Sequence, residues 1–157
     1  FVFLLPPEDE LTIEGVIAKA KIAVLRYGIR GLVVDPWNEL DHTRPNGMTE
    51  TEYISAALTK LRRFARIHGV HVWLVAHPTK LRKDENGKYP VPTLYDIAGS
   101  AHFFNKTDNG LTIWRDRMNV SKGVQVHVQK IRFKEVGKPG IAEFDYEMAS
   151  GCLRARS

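Results

Sequence analysis

Gly31-Leu32-Val33-Val34-Asp35-Pro36 is an apolar run that stops on a carboxylate, with Trp37 and Asn38 directly after it. Its β-branched content and its sharp polar stop predict a strand. In α/β proteins ligands bind at the carboxyl ends of parallel strands. An Asp in that position suits the Mg²⁺ of a bound nucleoside triphosphate, the Walker B role. Many buried strands also end in Asp, so the flanking segments must decide.

Working outward, the pattern on both sides alternates strands with helices. Phe1-Val2-Phe3-Leu4-Leu5 reads as a buried strand, and Pro6-Pro7 breaks it. Thr12 is placed to cap a helix with Glu14 in its first turn. Ile13, Val16, Ile17, Ala20, Val24 and Tyr27 then recur at helical spacing, and Gly28 stops the run. After strand 31–35 a polar loop, Glu39 to Gly47, leads to Thr49-Glu50-Thr51-Glu52, a capping box. Ile54, Ala57, Leu58, Leu61, Phe64 and Ala65 form the apolar stripe of a second helix that ends at Gly69, and Val70–Ala76 is the next strand. The order βαβαβ implies parallel strands joined by right-handed crossovers.

Beyond it, Pro78 to Pro92 is a polar loop with a turn at Asn86-Gly87. A short helix is expected around Thr93–Phe104, then strands over Gly110–Arg115, Gly123–Phe133 and Ile141–Tyr146. The last two would form a hairpin across Lys134–Gly140. The expected fold class is α/β: a mostly parallel sheet flanked by helices, with C-terminal antiparallel strands, in one partial domain spanning 1–157. Phe1 stands where a Met would start a chain, so the sequence reads as a piece of a longer protein, truncated on its N-terminal side.

Composition limits the partners. The 157 residues are 43% hydrophobic and 26% charged, which describes a globular chain with a real core. No apolar run approaches the roughly 20 residues that span a bilayer, so no membrane partner is expected. Cys152 is the one cysteine, which rules out an internal disulfide and suits a reducing compartment. The net charge of +5 permits an anionic partner such as nucleic acid without requiring one.

Several residues could carry chemistry. Asp35 and His77 each lie at or just beyond the carboxyl end of an expected parallel strand, and neighbouring strands would aim both into one crevice. There His77 could sense a terminal phosphate, or it could cap a strand in solvent. Loop 78–92 carries Lys80, Arg82, Lys83 and Lys88, which could contact a phosphodiester backbone irrespective of sequence or simply be solvated. Strand alternation puts Lys130 and Arg132 on one face with Ile131 opposite. Two such cations can reach one anion, and Arg suits developing phosphoryl charge; they would also be ordinary on a half-exposed strand. Gly99 and Ser100 are poor helix-interior residues and point to a close backbone approach or a helix start. Arg115, Asp116 and Arg117 close a strand in a charged cluster.

In order and spacing these segments resemble the latter part of a RecA-like motor domain of the DnaB-type hexameric replicative helicases, in their Twinkle and phage primase–helicase branch. The resemblance covers nearly the whole chain. It rests on Gly31-Leu-Val-Val-Asp35-Pro-Trp-Asn38, Val75-Ala76-His77-Pro78, the run Asp96 to Asn109, and Lys130-Ile-Arg132-Phe followed by Gly137-Lys-Pro-Gly140. It implies that Asp35 is the Walker B Asp, holding Mg²⁺ through water. It makes His77 the sensor that couples the terminal phosphate to DNA, and loop 78–92 the channel loop that grips single-stranded DNA through Lys80, Arg82, Lys83 and Lys88. Arg132 becomes the arginine finger and Lys130 its companion, both acting on ATP held by the neighbouring subunit. Arg115 resembles a nucleotide-base contact, and Tyr146 or Phe144 an aromatic that stacks on the base.

The family further implies a homo-oligomeric ring, six subunits by expectation, and a primase module in the same polypeptide. The setting would be cytoplasmic in a bacterium or phage-infected host, or mitochondrial for a Twinkle-like eukaryotic protein. The sequence departs from the family in lacking any Gly-x-x-x-x-Gly-Lys-[Ser/Thr]. That P-loop and the catalytic Glu are expected upstream of Phe1, and the 157 residues alone are expected neither to bind ATP tightly nor to hydrolyse it. Two other readings fit the same residues: a RecA-like recombinase or RepA-type ATPase, and a non-catalytic single-strand-binding module.

Overall fold

The computed structural model describes residues 1–5, 7, 11–85, 87–97, 101–116 and 123–156. Pro6, Asn86, Gly99, Ser100 and Arg117, singled out above, lie outside the described residues. The chain forms two compact units, Phe1–His77 and Pro78–Ser157.

The first unit holds helix α1 (Ile13–Tyr27), strand β1 (Gly31–Val34), helix α2 (Glu50–His68) and strand β2 (His71–Leu74). Both helices form where the caps direct. Thr12 Oγ1 accepts from the Gly15 N–H at 3.1 Å. At α2, Thr49 Oγ1 accepts from the Glu52 N–H, and the Glu52 carboxylate accepts from the Thr49 N–H at 2.9 Å, so two otherwise orphaned donors are satisfied reciprocally. That bond from the Thr49 backbone also holds the Glu52 carboxyl below its ordinary value. Gly28 and Gly69 end the helices with φ of 61° and 62°, a left-handed conformation that only glycine adopts without steric cost.

The helices pack through Ile13, Ile17, Ala20 and Ala23 of α1 and Ile54, Ala57, Leu58, Leu61 and Phe64 of α2, all buried. Tyr27, expected on the inner face of α1, is 61% exposed: it is the last residue of the helix, one turn beyond Ala23, where the buried stripe ends. Lys60 of α2 donates to Glu14 of α1.

β1 and β2 pair in parallel, Gly31 opposite His71 through Val34 opposite Leu74. Leu32 and Val34 are buried, whereas Val33 is 61% and Trp73 49% exposed. The sheet is therefore covered on one face, where full burial of the strand was expected. Residues 1–5 form no strand, and Phe1, Phe3 and Leu5 are exposed. Apolar composition makes a strand only where a neighbour supplies the ladder, and the described parallel sheet consists of β1 and β2.

The second unit holds helix α3 (His102–Lys106) and strands β3 (Asn109–Trp114), β4 (Val124–Ile131), β5 (Gly140–Glu147) and β6 (Cys152–Ala155). The four strands form an antiparallel sheet in chain order. The expected β4–β5 hairpin is present, with Val124 opposite Phe144 and Val128 opposite Gly140. The fold is thus α/β, with a parallel pair and an antiparallel meander.

The single helix expected over Thr93–Phe104 is instead a 3₁₀ turn at Leu94–Asp96, followed by α3. The Asp96 carboxylate accepts from both the N–H and the hydroxyl of Thr93 at 2.7 Å, closing the turn on itself. A short carboxylate that bonds the local backbone competes with helix continuation. Ile97 is then taken up by a bridge to Pro78. Among the described residues no helix is long and apolar enough to cross a membrane.

Candidate functional site

Asp35 and Val75 directly follow two paired parallel strands and so leave the same end of the sheet. The ladder continues past the strands: the Val75 N–H donates to Val34 O at 2.9 Å, and the Trp37 N–H donates to Val75 O at 2.7 Å. The His77 N–H then donates to Asn38 Oδ1 at 2.7 Å. Asp35 is exposed, as a group that meets a ligand must be.

The loop behind Asp35 is anchored by Trp37, which is 4% exposed. Its ring lies 4.5 Å from that of His42, and His42 lies 5.6 Å from Tyr53 of α2. The His42 Nε2 contact with Trp37 O, at 3.0 Å, assigns the proton to Nε2, since a carbonyl can only accept. Burial, reinforced by the charges of Glu14 and Asp41, pushes the Tyr53 hydroxyl above its ordinary value. The polar loop is thus fixed to the helix by a packed aromatic cluster.

In the second unit, loop 78–92 is closed at both ends of a narrow excursion. At its base the Thr79 N–H donates to Asp96 O at 2.7 Å. At its tip the Lys88 N–H donates to Asp84 Oδ1 and the Asp84 N–H to Lys88 O, both at 2.8 Å. Lys80, Arg82, Lys83 and Lys88 are all exposed on it. Lys83 lies over the Tyr89 ring, 5.3 Å from its centroid, pairing a cation with an exposed aromatic.

Lys130 and Arg132 meet at the carboxyl end of α3. Lys130 Nζ donates to Phe104 O and lies 4.7 Å from the centroid of the Phe104 ring. Arg132 Nη2 donates to Asn105 O at 3.0 Å, and its Nε lies 2.9 Å from Asp108 Oδ1. The Arg132 N–H also donates to Asp108 O at 2.9 Å. Carbonyls at a helix carboxyl end carry partial negative charge and draw cations. Both side chains are therefore held in a defined place.

Arg115 and Tyr146, from β3's end and β5, also come together, with the guanidinium 5.5 Å from the ring centroid. Tyr146 is 40% exposed, leaving ring surface for a further planar group. Asp35, His77 and Asn38 belong to the first unit; the loop cations, Lys130, Arg132, Arg115 and Tyr146 belong to the second.

No group of three or more His, Cys, Asp or Glu among the described residues is arranged to cage a metal ion. A lone exposed carboxylate such as Asp35 fits Mg²⁺, which keeps several waters and is held by one or two carboxylates together with substrate phosphates.

Two residues of consequence were not given roles from sequence. Asn38 and Asp108 both fall inside the quoted motifs. An Asn one turn after a strand end and an Asp between a helix and a strand are the available signals, and both residue types bond backbone readily.

No protein-family model matches the chain. A "Twinkle homolog protein, chloroplastic/mitochondrial" of Arabidopsis thaliana is 51% identical over 144 residues, covering 89% of this chain and 20% of that protein. The chain spans about a fifth of the length of that relative. The solved structure of a DnaB-like replicative helicase, described with its interactions with primase, superposes with a TM-score of 0.69. It is 19% identical and covers 90% of this chain and 34% of that one, a likeness of fold.

Proposed function

The chain is a segment of a DnaB-type, Twinkle-like helicase domain, and on that premise we propose that it supplies part of an ATP-driven motor that translocates on single-stranded DNA and unwinds duplex. Both units belong to one motor domain in this reading. The P-loop and catalytic Glu come from sequence outside these 157 residues, and ATP lies between subunits of a ring, six by family expectation. The primase named with the solved helicase makes a primase, in the same polypeptide or bound to it, the natural companion. The relative's organellar name supports the mitochondrial alternative over the cytoplasmic one.

Within the shared site one subunit presents Asp35 and His77. When Mg²⁺ is bound, it supplies neutralisation of phosphoryl charge, with Asp35 as the carboxylate that holds it. The next subunit presents Lys130 and Arg132. The guanidinium stabilises charge that develops on the transferring phosphoryl group. Arg115 and Tyr146 bracket the nucleotide base. Lys80, Arg82, Lys83 and Lys88 hold the DNA backbone, an interaction that weakens with salt.

The observation that carries this reading is the continuous ladder from Asp35's strand end to His77, which links a metal-type carboxylate to a residue one step from the DNA loop. The test is Arg132→Ala in the full-length polypeptide. ATP hydrolysis should fall by about 10³-fold or more while nucleotide binding is largely kept. Unchanged DNA-stimulated turnover refutes the assignment.

A further inference from the structure

We infer that Asn38 is a positioning residue for His77, fixing the sensor's backbone to the loop that carries Asp35. The inference rests on the sensor reading of His77 proposed above.

In a regular parallel ladder the donor following Val34's pairing would be residue 36. Pro36 has no N–H, so the bond to Val75 O is made by Trp37 instead. The next bond in sequence is owed to the His77 N–H, and a carbonyl of Pro36 or Trp37 should receive it. Both carbonyls are already committed within their own turn. Pro36 O accepts from the Glu39 N–H at 3.3 Å, and Trp37 O accepts from the Leu40 N–H at 3.1 Å and from His42 Nε2 at 3.0 Å.

The Asn38 amide oxygen takes the place of the missing carbonyl, at 2.7 Å. Its own segment cannot drift, because Trp37 beside it is buried against His42 and Tyr53. The Asn38 side chain thus extends the backbone ladder by one bond, reaching the His77 main chain two residues past Val75. Removing that side chain leaves Asp35, His77 and the ladder bonds through Val75 intact and takes away the bond that the His77 N–H makes to the loop after Asp35.

The experiment uses the full-length helicase polypeptide. Asn38→Ala should lower the stimulation of ATP turnover by single-stranded DNA about tenfold, the equivalent of one hydrogen bond, with the KM for ATP unchanged. The His77 amide should exchange with solvent faster in Asn38→Ala, and Asn38→Asp, which keeps an acceptor oxygen, should retain its protection. His77→Ala is measured in parallel. If it leaves DNA stimulation intact, the sensor reading fails and the inference falls with it. If His77→Ala abolishes stimulation while Asn38→Ala preserves it, the sensor reading stands and the positioning role is overturned. Equal losses of ATP affinity and of DNA-independent turnover in Asn38→Ala would mark a general structural role and also overturn it.

Discussion

Gly110→Ala tests how tightly the second unit is packed at β3, the strand paired with the one that carries Lys130. Gly110 is buried and pairs with Lys130, next to an irregularity in the β3–β4 register. A Cβ built there would overlap Leu94 Cδ1 and would lie 3.2 Å from its Cγ and 3.3 Å from its Cδ2. To restore ordinary contact Leu94 must retreat by roughly 1 Å. Its room to do so is small. Leu94 is 8% exposed, its N–H is held by Gln129 Oε1 at 3.2 Å, and the same Gln129 donates to Pro92 O at 2.7 Å.

Overpacking of this kind costs about 1–3 kcal/mol. Replacing a strand glycine returns about 0.5–1 kcal/mol. The net expectation is about 1–2 kcal/mol of destabilisation, a fall in Tm of about 3–6 °C for a chain of this size. Leu94→Ala alone should cost about 2–5 kcal/mol through the cavity it leaves. In the double variant the methyl added at position 110 occupies part of that cavity, so the combined loss should fall short of the sum by about 1 kcal/mol. Urea denaturation of the four proteins, followed by circular dichroism, measures the cycle. Additivity within about 0.4 kcal/mol would refute the clash as the cause.

Asp108→Ala should cost about 0.5–1 kcal/mol, since its pair with Arg132 is part-exposed; in the full-length polypeptide it should reduce turnover while sparing the KM for ATP, and equal stability to the unsubstituted chain would refute the clamp. Glu14 is held below its ordinary value of 4.5 chiefly by its hydrogen bond from Lys60. Its lowered carboxyl contributes stability above that value and loses it as pH falls through the folded-state value. Acid titration of Lys60→Met should therefore show a shallower loss of stability below pH 4.5 than the unsubstituted chain, and identical acid limbs would refute the pair's role.

The first unit was the more legible of the two, and the reason is local chemistry. Thr12, Thr49, Glu52, Gly28 and Gly69 mark helix ends through bonds made within a few residues, so their types announce them. The stripe of α2 fell where spacing placed it, from Ile54 to Phe64. What sequence could not carry was non-local. Phe1–Leu5 has a strand's composition, but whether it pairs depends on a neighbour. β6 was not expected, because its Cys152-Leu-Arg-Ala run buries nothing. Exposed ion pairs accompany it instead: Arg154 with Glu147 at 3.1 Å and Arg156 with Asp145 at 2.6 Å.

The candidate site divides in the same way. Asp35 and His77 were visible as strand-end residues, and Lys130 and Arg132 as same-face cations. The partners that hold them were not: Asn38, Asp108 and the carbonyls of α3. Backbone carbonyls have no sequence signature, and Asn or Asp in a loop has too many uses to be assigned one.

The parallel pairing of β1 and β2 also carries a different closure cost from the meander's. The meander joins neighbours in sequence, so each hairpin closes a short loop. β1 and β2 pair across a connection that contains the whole of α2, a longer closure with a larger entropic cost. The strand ends at Asp35 and His77 are thus brought together over a crossover whose helix touches neither residue's chemistry. A capping box at Thr49, by stabilising that helix, offsets part of the cost of bringing the two strand ends together.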